Sequence, residues 1–149
     1  MARRLEELPL YERIQEFWKA VFAILQRPAL RRDRDLSEQI SDANDSIDAN
    51  MHEGFGQPTD AAFANYVFIA KNSLAEVVAR VKEAHKKGLL TDEELRSIQQ
   101  PGEALGKMLG GFIKYLSASG FTDRGRHSVA PRPPKPFKPR HRRPPSAHD

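Results

Sequence analysis

Phe63, Tyr66, Val67, Ala70, Leu74, Val77, Val78, Val81 and Ala84 fall three or four positions apart. A helix turns once per 3.6 residues, so this spacing gathers them into one apolar stripe, whereas a strand would scatter them over both faces. The period recurs in three other segments. Leu10, Ile14, Phe17, Trp18, Val21, Phe22 and Leu25 form the first stripe, and Leu36, Ile40, Ala43, Ile47 and Met51 the second. Leu95, Ile98, Leu105, Met108, Leu109, Phe112 and Leu116 form the fourth. No alternating pattern of useful length competes with them. Four such stripes with short joins predict an all-α fold, an antiparallel up-down four-helix bundle over residues 1–121.

Local chemistry marks the helix ends. Pro9 suits a first helical position, where its missing amide is not needed. Pro28 predicts a stop after Leu25, and Ala29–Arg34 reads as a polar loop. Thr59 or Gln57 is the expected cap of the third helix, and Gly88 its left-handed stop. That helix, about 30 residues at 1.5 Å each, would run roughly 45 Å and expose surface for a partner to cover. Thr91-Asp92-Glu93-Glu94 is a capping box. Pro101-Gly102 predicts a kink or short break near Gln100, because proline costs ~3 kcal/mol inside a regular helix. Gly120 is the expected end of the element.

Beyond residue 121 the composition changes. Seven of the 11 prolines lie between Pro131 and Pro145. Proline removes amide donors and fixes φ, and Val129 and Phe137 alone offer sizeable apolar surface, too little to offset the entropy of ordering. Residues 122–149 are therefore expected to form a disordered, polyproline-like tail. The tail holds 8 of the 24 Lys+Arg and 2 of the 20 Asp+Glu, a net of +6, which leaves the body at −2. Arg124, Arg126, Arg132, Lys135, Lys138, Arg140, Arg142 and Arg143 suit phosphate neutralisation, which needs mobile positive charge and little geometry. Phe137 and the neighbouring histidines suit stacking on unpaired bases. The stretch Pro-Arg-Pro-Pro-Lys-Pro also fits a polyproline ligand of an SH3-type domain.

The absence of cysteine excludes disulfides and thiolate chemistry. No apolar run approaches the ~18 residues a membrane helix needs, and the first residues do not read as a signal peptide, so the expected location is cytoplasmic, without a membrane partner.

The join Asn50-Met51-His52-Glu53-Gly54-Phe55-Gly56-Gln57 reads as an αα-hairpin. Gly54 is expected to take the left-handed angle that closes a helix. Gly56 gives a second permissive point, and Phe55 swings inward to plug the bundle end. A phosphate loop is the rival reading, but the further glycines and preceding strand it needs are missing. Asp42, Asp45, Asp48 and His52 share one helical face, which reads as a solvated or subunit-facing acidic stripe. No paired E-x-x-H motif supports a metal site, and no cofactor is expected. Ser46, Asn50, Ser73 and Glu76 lie beside the apolar stripes and are expected to hydrogen-bond between helices and fix their register. No base accompanies the serines, so no catalytic site is expected. Trp18 reads as core or interface.

Three blocks carry a family resemblance. They are Ser46-Ile47-x-Ala49-Asn50-Met51-x-Glu53-Gly54-Phe55-Gly56, then Phe68-Ile69-Ala70-x-x-Ser73-Leu74-x-Glu76, then Leu105-Gly106-Lys107-Met108-Leu109. Through them the chain resembles the small four-helix bundle proteins first noted in 23S ribosomal RNA intervening sequences, a family that includes the accessory variability determinant proteins of diversity-generating retroelements. The resemblance implies a homopentamer with a central channel. For the retroelement members it also implies binding of RNA or DNA and of a reverse transcriptase. Three departures stand out: Ser41 and Asp42 replace two adjacent basic residues, Asn72 replaces a common glycine, and Pro101-Gly102 falls inside the fourth helix. The combined expectation is a non-enzymatic homo-oligomer that binds nucleic acid, with a pure protein-interaction scaffold as the alternative.

Overall fold

The computed structural model describes residues 4–119. A turn of 3-10 helix (Leu5–Glu7) leads into α1 (Pro9–Leu25), α2 (Pro28–Arg32), α3 (Arg34–Phe55), α4 (Asp60–Lys86) and α5 (Asp92–Ala118). No strand occurs among the described residues. α3 lies along α4, α4 along α5, and α1 closes the ring against α3 and α5. The four long helices thus form an up-down four-helix bundle, with α2 as a short corner between α1 and α3. The expected tail and the end of the body, residues 120–149, lie outside the described residues.

The stripes meet in one core that runs the length of the bundle. Val21, Ile40, Met51, Val67, Val77, Val81, Ile98 and Leu109 are fully buried. Burying one such side chain is worth about 1.5–3 kcal/mol, and this is what holds α3 helical despite its many Ser, Asp and Asn residues. Phe22 and Met108 leave their stripes and are exposed. Each stands at the edge of an apolar arc wider than the core it faces.

The joins are fixed by hydrogen bonds. Thr59, not Gln57, caps α4: its Oγ1 accepts from the Ala62 amide at 3.1 Å. At the other end Gly88 has φ +77°, its amide donates to His85 O at 2.9 Å, and the Leu89 amide donates to Ala84 O at 3.0 Å. This is a Schellman stop. Thr91 and Glu94 complete the capping box of α5 at 3.0 and 3.1 Å. Asp33 caps α3 by accepting from the Leu36 amide at 3.2 Å, and Lys87 donates to its other oxygen at 3.0 Å. That contact draws the Asp33 carboxyl below its ordinary pKa and raises the Lys87 ammonium above its own.

Several expectations are revised. Ala29–Arg34 is not a loop: residues 28–32 are helical and α3 begins at Arg34. Pro28 initiates a turn as well as ending one, and the turn is anchored by fully buried Leu30 and by Ser37 Oγ donating to the Leu30 carbonyl. Gly54 is not left-handed but helical and buried. A Cβ there would stand 2.6 Å from Phe63 Cδ2 and 2.6 Å from Tyr66 Cβ, so glycine permits α3 to touch α4. Gly56 likewise keeps an ordinary helical angle, φ −76°. Phe55 does pack inward against the core, but it is half-buried and shares the bundle end with Phe63, 1% exposed, which meets both Phe55 and Phe112 in T-shaped contacts. Finally, of the kink or short break expected near Gln100, the break is absent: α5 continues through Pro101. Pro101 and Ser97 are both exposed, so water can serve the Ser97 carbonyl that lost its amide donor. Gly102 faces inward, where a Cβ would meet Val78 Cγ2 at 2.8 Å and Phe17 Cε2 at 3.2 Å.

Candidate functional site

The polar residues of α3 divide between its two neighbours. Toward α1, the Tyr11 hydroxyl donates to Asp48 Oδ1 at 2.7 Å and lies 2.8 Å from His52 Nε2. With the Tyr11 O–H directed at Asp48, the Nε2–H tautomer of His52 completes the chain by donating to the Tyr11 oxygen. Burial, then the bond to Asp48 and its charge, push the Tyr11 pKa up to about 12. Less than one turn before Asp48 on α3, Asp45 Oδ1 accepts from Trp18 Nε1 at 2.9 Å, and Asn44 Nδ2 donates to the Trp18 carbonyl at 3.2 Å. Two of the acidic-stripe carboxylates are thus engaged with α1 and do not converge on a common point.

Toward α4, Ser46 and Ser73 share a hydrogen bond of 2.8 Å between their hydroxyls, and Asn50 Nδ2 donates to Ser46 O at 2.7 Å and to Ser46 Oγ at 3.0 Å. Three of the four predicted register residues therefore form one network. Glu76 does not join it: it is half-buried and makes no side-chain hydrogen bond with a described residue. Glu53 is exposed, one turn from Asn50. The eight predicted nucleic-acid residues, Arg124 to Arg143, lie outside the described residues.

Two surface grooves bring together residues that sequence reading left apart. The first, about 620 Å³, runs between α4 and α5 and is lined by Lys71, Lys107 and Lys114, with Glu103 and three glycines. None of these lysines forms an ion pair with a described residue. The second, about 460 Å³, lies at the corner of α1, α2 and α3. Phe22, Leu25 and Gln26 form one wall, Arg31 and Arg34 another, and Ser37, Glu38 and Ser41 the third. Trp18 stacks on Phe22, with centroids 5.2 Å apart and planes at 14°. Phe22 was legible only as a stripe member and Arg31 and Arg34 only as loop charges. No periodicity signal distinguishes a groove from a core edge.

No helix among the described residues is long and apolar enough to cross a membrane. No curated protein matches the chain. In structure it is similar to a protein of unknown function from the S23 ribosomal protein family of Bacteroides thetaiotaomicron, with a TM-score of 0.63 and 23% identity over 70% of this chain and 98% of that one. That likeness establishes the helical fold. The family model for 23S rRNA-intervening sequence protein matches residues 6–111, which is most of the described bundle. The chain belongs to the 23S rRNA-intervening sequence protein family.

Proposed function

We propose that the chain is a non-enzymatic, homo-oligomeric accessory protein that binds RNA or DNA. The observation that carries this reading is the division of charge, +6 in residues 122–149 against −2 in the remainder. A cationic arm on a near-neutral body neutralises phosphates without needing a shaped pocket. The lysine groove between α4 and α5 supports it by offering further cation on the body. Self-association is supported by α4, whose outward face presents Ala61, Asn65, Phe68, Asn72, Ala75 and Ala79, all exposed and uncharged, with Phe68 at 54%. Such a face suits burial against another copy. Family resemblance extends the reading to five copies and to a reverse transcriptase as partner. A ring of arms would raise effective concentration and hence avidity.

The same α4 face favours a second reading, a protein scaffold that binds no nucleic acid. Sedimentation velocity of the full chain, alone and with single-stranded RNA, separates them. The proposal predicts a discrete oligomer that carries RNA to higher mass. An oligomer that leaves RNA unbound would favour the scaffold, and a monomer that ignores RNA would end both.

A further inference from the structure

We infer that the corner groove of α1, α2 and α3 is a binding site for one unpaired base and its flanking phosphates. The inference rests on the nucleic-acid reading above but places a contact on the folded body, apart from the basic arm.

Three features of the groove carry it. The first is the aromatic wall. Phe22 is 48% exposed although phenylalanine is ordinarily buried, and Trp18 stacks behind it nearly parallel. The Trp18 indole is itself held by Asp45, and the Trp18 backbone carbonyl by Asn44. The result is a fixed platform, and fixed aromatic faces are what single-stranded nucleic acids stack on.

The second is charge. Arg31 and Arg34 line the same groove, are exposed, and form no ion pair with a described residue. The neighbouring Asp33 is occupied by Lys87 and the nearby Arg27 by Glu94. The planar guanidinium matches phosphate oxygens in a bidentate geometry. Buried Leu30 and the Ser37 bond to its carbonyl hold α2 in place and so aim Arg31.

The third is the edge chemistry. Glu38 is the one carboxylate in the lining. It repels a second phosphate but accepts from the exocyclic amine of a base. Gln26 donates its amide to Phe22 O at 3.3 Å, which leaves its side-chain oxygen as a further acceptor. The groove volume, about 460 Å³, lies within the range of small-ligand sites.

Trp18 is the chain's only tryptophan, so emission excited selectively at tryptophan, and not at the three tyrosines, reads this corner. The test titrates the full chain with a short oligocytidine, whose bases carry the exocyclic amine, and follows both Trp18 emission and the anisotropy of a labelled oligonucleotide. The same is done with a full-length variant whose eight tail cations are changed to Gln. A saturable Trp18 response in both proteins is expected, with no such response to a duplex whose bases are already paired. Phe22→Ala should weaken binding about tenfold in the tail-neutralised protein, the loss expected for one stacked base. Arg31→Gln with Arg34→Gln should flatten the slope of log affinity against log salt by about 1.4, for two phosphates on a single strand. All three side chains are exposed, so far-UV circular dichroism and sedimentation should match wild type. Binding by anisotropy with a silent Trp18 and unaffected variants would overturn the groove and leave the nucleic-acid reading intact. A change of oligomer mass in Phe22→Ala with unchanged oligonucleotide affinity would also overturn it, by making the platform a subunit contact. Absence of any binding by wild type would remove both.

Discussion

The hydroxyl of Tyr11 joins α1 to α3 through Asp48 and His52, and its ring is 5% exposed. Its pKa stands near 12 against an ordinary 10.0. The folded state therefore holds the phenol proton more tightly than the unfolded chain. The resulting stability is fully present below pH 10.0 and disappears as pH climbs through about 12. Urea denaturation across that window should show a larger loss in wild type than in Tyr11→Phe, which forfeits the Tyr11 bond at every pH and keeps only the loss from the Lys87–Asp33 contact. The glycines make a second, sharper case at the same scale. Gly54→Ala places a methyl against Phe63 and the Tyr66 Cβ, neither of which can step aside, and should destabilise by about 1–3 kcal/mol. At Gly111 a Cβ would meet nothing within 4 Å, so Gly111→Ala should stabilise α5 by up to about 1 kcal/mol. Opposite signs in chemical denaturation would establish that close approach, not backbone freedom, is the reason for glycine at position 54.

Helix ends and helix interiors respond to different chemistry. Thr91→Ala removes one half of the capping box and should cost about 1 kcal/mol in thermal or urea unfolding. Pro101→Ala should act the other way, restoring the amide donor inside α5 and gaining up to about 3 kcal/mol, since the exposed ring contributes little packing. A loss on Pro101→Ala would mean that α5 depends on the distortion proline brings. These elements also divide what the sequence makes legible from what it hides. The four long helices and the caps at Thr59, Gly88 and Thr91 follow from local rules: a period, a side-chain acceptor, a permissive φ. The short helix α2 does not, because five residues complete barely more than one turn and its anchor, Leu30, is buried only once the chain packs around the corner where α2 meets α1 and α3. Phe22 and Phe17 belong to the same stripe, yet one is exposed and the other 2% exposed. Only the angle at which α1 meets its neighbours decides between them. The corner groove was hidden for both reasons at once.

For the molecule as a whole, family membership and a matching helical fold define the body, and the uneven charge defines what it is proposed to grasp. Self-association through α4 should depend on its outward apolar surface. Phe68→Glu places a charge in that face and should lower the sedimentation coefficient toward that of one copy while helix content stays unchanged. The central claim, that positive charge beyond the bundle holds nucleic acid, is tested most directly by the salt dependence of single-stranded RNA binding to the full chain. A plot of log affinity against log salt should fall steeply, at about −0.7 for each phosphate engaged, and should lose most of that slope when the eight tail cations become Gln. A shallow slope in wild type, or an unchanged one after neutralisation, would contradict the account.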